Sequence, residues 1–441
     1  MQFEKKVFPS AAEIDAEGFL AIDGVAVSEI ANEFSTPVMI YSSKDITDET
    51  KKFVEVFDRV LYASKAAPII GLEKLIFAQG AGCDVASVGE LEVALRSGCD
   101  PQMIVMHGNN KSDDEIRRCI EVGISRIVVE DSHECDRIER IANELGVSKV
   151  EVELRLTPGV EAHTHEAIMT GAIDSKFGST IEFGTAREMV DRIVSSSKLV
   201  LKGFHCHIGS QIFDTEPLAQ AARIVAEFFV GLHGEYLEKG IDFDINEINV
   251  GGGFGICYSE TDDPPPTIEM ATAVKAAVHE VCTKNNIHDI EVWVEPGRAL
   301  VGRAGVTVYK VGSVKKIPKT RNYIAVDGGM SDNLRPAIYG AEHAVRIDGK
   351  DASHESIVAT VAGKHCEEGD RLAVDVALPS NVEVDDLLIQ ASTGAYSYAM
   401  SSNYNMFTRP AVVLVDSDNS EKVKEIVRRE TIEDILTRQR S

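Results

Sequence analysis

Between about residues 38 and 305 the chain alternates two patterns of apolar spacing. Short apolar runs recur at 60–65, 83–87, 103–107, 126–130, 150–157, 199–207, 245–250 and 290–295. Between most of them, at 88–97, 113–122, 132–145, 219–239 and 267–284, apolar residues fall three and four apart. The first pattern predicts buried strands and the second amphipathic helices. Strands alternating with helices mean βαβ units and a parallel sheet. Eight such strands over roughly 250 residues have the size of a closed (β/α)8 barrel, with an open doubly wound sheet as the rival. The unusual residues separate the two: nearly all follow the C-terminal ends of strands, where such barrels place their chemistry.

On either side the rhythm changes. After about residue 305, short strands at 306–311, 323–326, 357–361, 371–376 and 387–391 follow one another without helices, which reads as a β-domain of sandwich or barrel type. Near the N-terminus, 19–25 gives a strand and turn, and 27–34 a helix. That strand has no obvious partner nearby and is expected to pair with the C-terminal part. The charged tail from Glu421 to Arg440 reads as a closing helix with a solvated face. The predicted organisation is α/β: residues 1–37 joining the β-domain, a barrel over 38–305, and the β-domain over 306–441.

Length agrees, since 441 residues exceed one ordinary core. A net charge of −26 argues against nucleic acid or an anionic membrane as partner. Met1–Lys6 precede no apolar segment of a secretory signal, and no apolar stretch approaches membrane-spanning length. The eight cysteines, at 83, 99, 119, 135, 206, 257, 282 and 366, form no C-x-x-C pair. That fits a reducing, cytoplasmic setting with most of them buried as small apolar residues.

The run Leu61-Tyr62-Ala63-Ser64-Lys65-Ala66 ends on one lysine. At a strand end it is expected to be partly desolvated, which lowers an amine's pKa and exposes the nucleophile that Schiff-base chemistry needs. Val250-Gly251-Gly252-Gly253-Phe254-Gly255 is either an anion cradle of backbone N–H groups or a tight turn. It is no nucleotide loop of the G-x-x-x-x-G-K-[ST] kind, because no lysine follows. In Gly203-Phe204-His205-Cys206-His207-Ile208-Gly209-Ser210-Gln211 two histidines share a strand face. A metal is disfavoured there, since Cys206 points away and no third ligand is evident, so a histidine packed flat on an aromatic ring is the better reading. Glu295-Pro296-Gly297-Arg298 sets a carboxylate and a guanidinium at a strand end. It is either a local ion pair or a ring-nitrogen partner beside an anion-binding arginine.

Taken in order with Gly82–Leu91, Gly108–Ser112, Thr170–Gly178, Arg335-Pro336, Cys366-Glu367 and Tyr396, these runs resemble the diaminopimelate decarboxylases. Those enzymes belong to the pyridoxal 5'-phosphate-dependent barrel family shared with alanine racemase and eukaryotic-type ornithine decarboxylases. The resemblance covers nearly the whole chain. It implies that Lys65 carries the cofactor as a Schiff base, that His207 stacks on its ring and that Glu295 bonds the ring nitrogen. Ser210, Gly252 and Gly253 of the glycine run, Gly297, Arg298 and Tyr396 would surround the cofactor, mainly at its phosphate. Arg298, Arg335, Tyr339, Glu367 and Tyr396 would bind the substrate, and Cys366 would protonate the product from the neighbouring subunit of a homodimer with shared sites.

A glutamate at the ring nitrogen keeps the pyridinium protonated and hence a strong electron sink. In the racemase branch an arginine stands there, so Glu295 implies decarboxylation. Two arginines suit a substrate whose far end carries a carboxylate. The implied reaction is therefore meso-2,6-diaminopimelate to L-lysine and CO2, in lysine biosynthesis. The alternatives are a decarboxylase of carboxynorspermidine or of a basic D-amino acid, and an inactive regulatory homologue. One departure is Ala67, where the family usually has asparagine; a modest change at the site rim is expected.

Overall fold

The computed structural model describes residues 5–160, 174–240, 245–352 and 355–440. The described residues divide into two compact units, one from Glu49–Gly255 and Pro264–Gly297, the other from Met1–Asp48, Ile256–Asp263 and Arg298–Ser441. The predicted boundaries at 38 and 305 differ from these, because the strand at Val38–Ser42 and the turn at Arg298–Val301 group with the C-terminal sheet.

Three short N-terminal strands, β1 (Ala12–Ile14), β2 (Leu20–Ile22) and β3 (Val25–Ala26), form their own antiparallel sheet. The segment expected to pair with the C-terminal part thus finds its partners within fifteen residues, in register Ile14↔Leu20 and Ile22↔Val25. The strand that the N-terminal region lends to the C-terminal sheet is β4 (Val38–Ser42), which is buried throughout.

The barrel strands are β5 (Arg59–Ala63), β6 (Gly82–Val85), β7 (Ile104–Met106), β8 (Arg126–Val129) and β9 (Val150–Thr157). After β10 (Ser179–Thr180), an appendage on β9, come β11 (Leu199–Cys206), β12 (Glu247–Asn249) and β13 (Glu291–Val294). All eight pair in parallel, and β13 closes on β5 while β8 closes on β9, so the sheet is a barrel and the open-sheet alternative falls. Leu61, Val105, Val128 and Trp293 fill its interior from four strands, as expected of a packed core. Polar caps start the helices: Ser87 and Asp131 accept N–H bonds, and Ser112 with Glu115 makes a reciprocal capping box. These caps set where the chain turns from each strand end into its helix. The helices at Asp113–Val122 and Thr267–Lys284 match the predicted bounds.

In the other unit the strands are β14 (Gly305–Ile317), β15 (Arg321–Val326), β16 (Val345–Ile347), β17 (Ser356–Ala362), β18 (Arg371–Pro379), β19 (Leu387–Gln390), β20 (Ala411–Val415) and β21 (Val423–Val427). Their order is β18-β17-β15-β14-β4-β20-β21, with β19 pairing both β14 and β16. Two apolar clusters sit against this framework, one around Val7, Leu20, Ile40, Val306 and Val413, the other around Tyr309, Ile324, Val361 and Leu388. The expected closing helix is corrected. Residues Val423–Val427 pair antiparallel with β20, and only Ile432–Leu436 is helical. The β-branched Val423, Ile426 and Val427 favour a strand once an edge is offered to them. Among the described residues no helix is long and apolar enough to cross a membrane.

Candidate active site

Lys65 lies two residues past β5, inside a single helical turn at Ser64–Ala66. The strand ends at Ala63, and Lys65 is an exposed residue. The Lys65 charge acts on the carboxylates of Asp84 and Glu90 and on the His207 imidazole. The turn is anchored from below: Ser64 Oγ donates to Glu73 Oε1 at 2.7 Å, both side chains being fully buried. Ala67 is also fully buried, its N–H donating to the Ser64 carbonyl and its own carbonyl accepting from Tyr62 Oη at 3.2 Å. It is a core position, so the expected change at a site rim is corrected.

Glu295, just beyond β13, is buried and ringed by donors. Its Oε1 stands 2.8 Å from His107 Nε2 and 2.7 Å from Asn249 Nδ2, and its Oε2 3.0 Å from His205 Nε2. Burial pulls its pKa upward, but the charges and hydrogen bonds of His107 and His205 outweigh this and hold the carboxyl well below the ordinary range. Burial pushes His205 down to about 4, against the Glu295 charge and hydrogen bond that pull it up. His107, His205 and Glu295 place their ligand atoms within 4.8 Å of one another, a cluster that includes His205 of the two strand-face histidines but not His207. Their nitrogens are spent on the carboxylate oxygens, which is a hydrogen-bonded arrangement.

His207 follows β11 and is half-buried; burial first, then the Lys65 charge, keep it well below its ordinary pKa. Its Nδ1 accepts the Gly252 N–H at 3.3 Å, which fixes the ring against the glycine run. A Cβ at Gly251 would lie 2.3 Å from the Cys206 carbonyl oxygen, one at Gly252 2.3 Å from that of Glu295, and one at Gly253 2.6 Å from that of Gly209. Only glycine passes these backbones. The N–H groups of Gly253 and Phe254 find no acceptor among the described residues, so this tight turn leaves two donors that an anion could take. Ser210 precedes Gln211, a residue held at a φ of 59°. Gly297 presses on Ala63 and Ala66, where an added Cβ would come within 3.0 and 3.1 Å of theirs.

These residues of the barrel unit suit a pyridoxal phosphate: an amine, an ionised carboxylate for a ring nitrogen, a flat imidazole and an N–H cradle for phosphate. Of the motif at Thr170–Gly178, the residues 170–173 lie outside the described ones.

The remaining candidates belong to the other unit. Arg298 and Arg335 are both buried, and Tyr258 lies by both: its hydroxyl accepts from Arg298 Nη1, and the Arg335 Cζ lies 4.2 Å from its ring centre. Arg298 also stands 4.8 Å over Tyr396, which adopts a φ of 62°. Tyr339 ends the helical turn that Arg335 begins. Cys366 and Glu367 are exposed on a loop built around Asp370, whose carboxylate accepts from the Met330 and His365 N–H groups. Tyr404 Oη reaches Glu367 at 3.2 Å.

Sequence reasoning passed over His107, Asn249, Asp84 as a neighbour of that histidine, and Tyr258. His107 follows a strand, Asn249 ends one and Asp84 is the last residue but one of another, all toward the barrel's C-terminal face, a signal that was available. Tyr258 lies in a loop and gave none.

A model of the pyridoxal-dependent decarboxylases, pyridoxal binding domain, matches residues 43–302. The chain is 41% identical over 422 residues to a diaminopimelate decarboxylase of Bacillus methanolicus, covering 94% of this chain and 95% of that one. It is 39% identical over 439 residues to that of Mycobacterium tuberculosis strain H37Rv, covering 98% and 97%. Among solved structures, diaminopimelate decarboxylase of M. jannaschii in co-complex with L-lysine superposes with a TM-score of 0.89 at 33% identity, covering 98% of each chain. By descent and by fold, this chain belongs to the diaminopimelate decarboxylase family of pyridoxal-dependent decarboxylases.

Proposed function

We propose that the chain converts meso-2,6-diaminopimelate to L-lysine and CO2 with pyridoxal phosphate, as a cytoplasmic homodimer acting in lysine biosynthesis. The observation that carries the chemistry is the buried Glu295 carboxylate, kept ionised by His107, His205 and Asn249. The substrate rests on the relatives, of which several bear this name at about 40% identity over nearly their whole length.

The residues that would hold the cofactor are Lys65 through its amine, His207 against the ring, Glu295 at the ring nitrogen, and Ser210, Gly252, Gly253, Gly297, Arg298 and Tyr396 around the phosphate. When bound, the group supplies an electron sink for the pair left at Cα as CO2 departs. Glu295, an anion in a dry setting, would hold a proton on the ring nitrogen of the bound group. His107 and His205 hold that carboxylate in place by donating to both its oxygens. Arg298, Arg335 and Tyr339 bind the carboxylate of the amino-acid centre that is retained, and Glu367 its ammonium. Cys366 Sγ gives its proton to Cα, reaching with Glu367 into the partner subunit's site. An exposed loop position suits a thiol that must cross to another subunit.

The test is CO2 release from meso-diaminopimelate, with lysine identified as product, with and without added pyridoxal phosphate. Cofactor-dependent release is expected. A bound cofactor without release, and turnover of carboxynorspermidine in its place, would move the chain to another substrate.

A further inference from the structure

The buried polar cluster around Arg335 has a member that the resemblance does not assign. His343 is fully enclosed, and its Nδ1 lies 2.9 Å from the Ala391 carbonyl oxygen. A carbonyl only accepts, so Nδ1 carries the proton, and a neutral imidazole then offers a lone pair at Nε2. Two donors converge on that lone pair: Arg335 Nη1 at 3.1 Å and Asn333 Nδ2 at 3.3 Å. Asn333 is itself held, since its Nδ2 also reaches Gln390 Oε1 at 3.1 Å. The His343 ring stands edge-on to Tyr258 at 4.8 Å, and Tyr258 presents its ring to Arg335. The guanidinium is thus gripped at one nitrogen by an imidazole and at its plane by a phenol.

Arg335 has no carboxylate partner among the described residues. Burial pushes its guanidinium down from its ordinary pKa, and the like charge of Arg298 adds to this, against the phenols of Tyr258, Tyr396 and Tyr339. A buried cation without an anion is costly, so the cluster is built to receive one. A second cation at His343 would repel both arginines. Burial and the Arg335 charge prevent that, pushing the imidazole down to about 3.

We propose that His343 is a positioning residue for substrate recognition: a neutral acceptor that locks Arg335 Nη1 and so fixes which guanidinium N–H groups meet the substrate's retained carboxylate. This rests on the reading of Arg335 given above. A planar fork recognises a carboxylate only when its rotation is set. With one corner pinned, the opposite edge presents a fixed pair of donors. Without the pin the charge remains but the alignment is lost, so recognition of the carboxylate should suffer while the chemistry at the far centre does not.

The experiment uses the full chain loaded with pyridoxal phosphate and measures binding by calorimetry of two probes. L-lysine carries the carboxylate and 1,5-diaminopentane lacks it. His343→Phe should weaken lysine about tenfold and leave the diamine within about twofold, and KM for diaminopimelate should rise with kcat little changed. His343→Gln, which retains an acceptor, should restore most of the discrimination. Should His343→Phe not fold, His343→Asn, too short to reach Nη1, replaces it. An unchanged lysine-to-diamine ratio in the folded variant, with Arg335→Met collapsing that ratio, overturns the role of His343 alone. An unchanged ratio in Arg335→Met overturns the reading of Arg335 itself.

Discussion

At the scale of single residues, the site's chemistry comes from burial set against partners. Glu295 and Glu73 show the two outcomes. Both are buried, but Glu295 meets three donors and stays ionised, whereas Glu73 has hydroxyls alone. Burial raises Glu73 to about 7, against the opposing hydrogen bonds of Ser64 and Ser97 and with the Glu90 charge adding to it. Its charge also acts on the thiols of Cys83 and Cys99. An ordinary glutamate titrates near 4.5, so the folded pKa is the higher one. The protonated form therefore contributes its full stability below pH 4.5, and that contribution is lost as the pH rises through 7. Glu73→Gln, which cannot ionise, should flatten the fall in unfolding free energy across that window by about 3 kcal/mol. Urea midpoints of both proteins between pH 4 and 8, roughly spanning the two pKa values, check this. Parallel curves would mean that Glu73 is ionised in the fold.

At the scale of elements, the strand ends place the groups and the glycine loop positions them against one another. Gly252 touches two of them at once, giving its N–H to His207 Nδ1 while its Cα faces the Glu295 carbonyl. In Gly252→Ala the new Cβ meets that carbonyl oxygen at 2.3 Å, so either the loop or the end of β13 must move. A cost of about 1–3 kcal/mol in stability is expected, with weaker binding of pyridoxal phosphate. Thermal melting and a cofactor titration measure the two separately. A variant that melts earlier yet binds the cofactor as tightly would show that the loop yields without disturbing the cradle. Legibility at this scale followed the length of the signal. All eight barrel strands and the helices at 113–122 and 267–284 were readable, because period and caps are local. The pairing of β2, the role of β4 as a sheet strand and the extended Val423–Val427 were not, because each depends on which edge lies alongside.

At the scale of the whole molecule, the candidate residues are divided between a barrel unit and a strand-rich unit, and the proposed sharing of the site across a homodimer makes a numerical prediction. A mixture of Lys65→Ala and Cys366→Ala chains that re-pair at random is half heterodimer. Each heterodimer has both lesions in one site and none in the other, so about a quarter of the wild-type rate should return from two nearly inactive parents. Rates after denaturation and co-refolding test it, and no recovery would place Cys366 in its own subunit's site. The sequence alone determined the alternation of strands and helices, the lysine, glycine, glutamate and arginine motifs and the family they resemble, since these rest on local spacing and residue type. Only the tertiary structure decided that Lys65 is exposed, that Ala67 is core, and that His107, His205 and Asn249 converge on Glu295 while His343 holds Arg335. Those are contacts between strand ends and loops far apart in the chain, and burial and protonation follow from such neighbours, which local spacing does not encode.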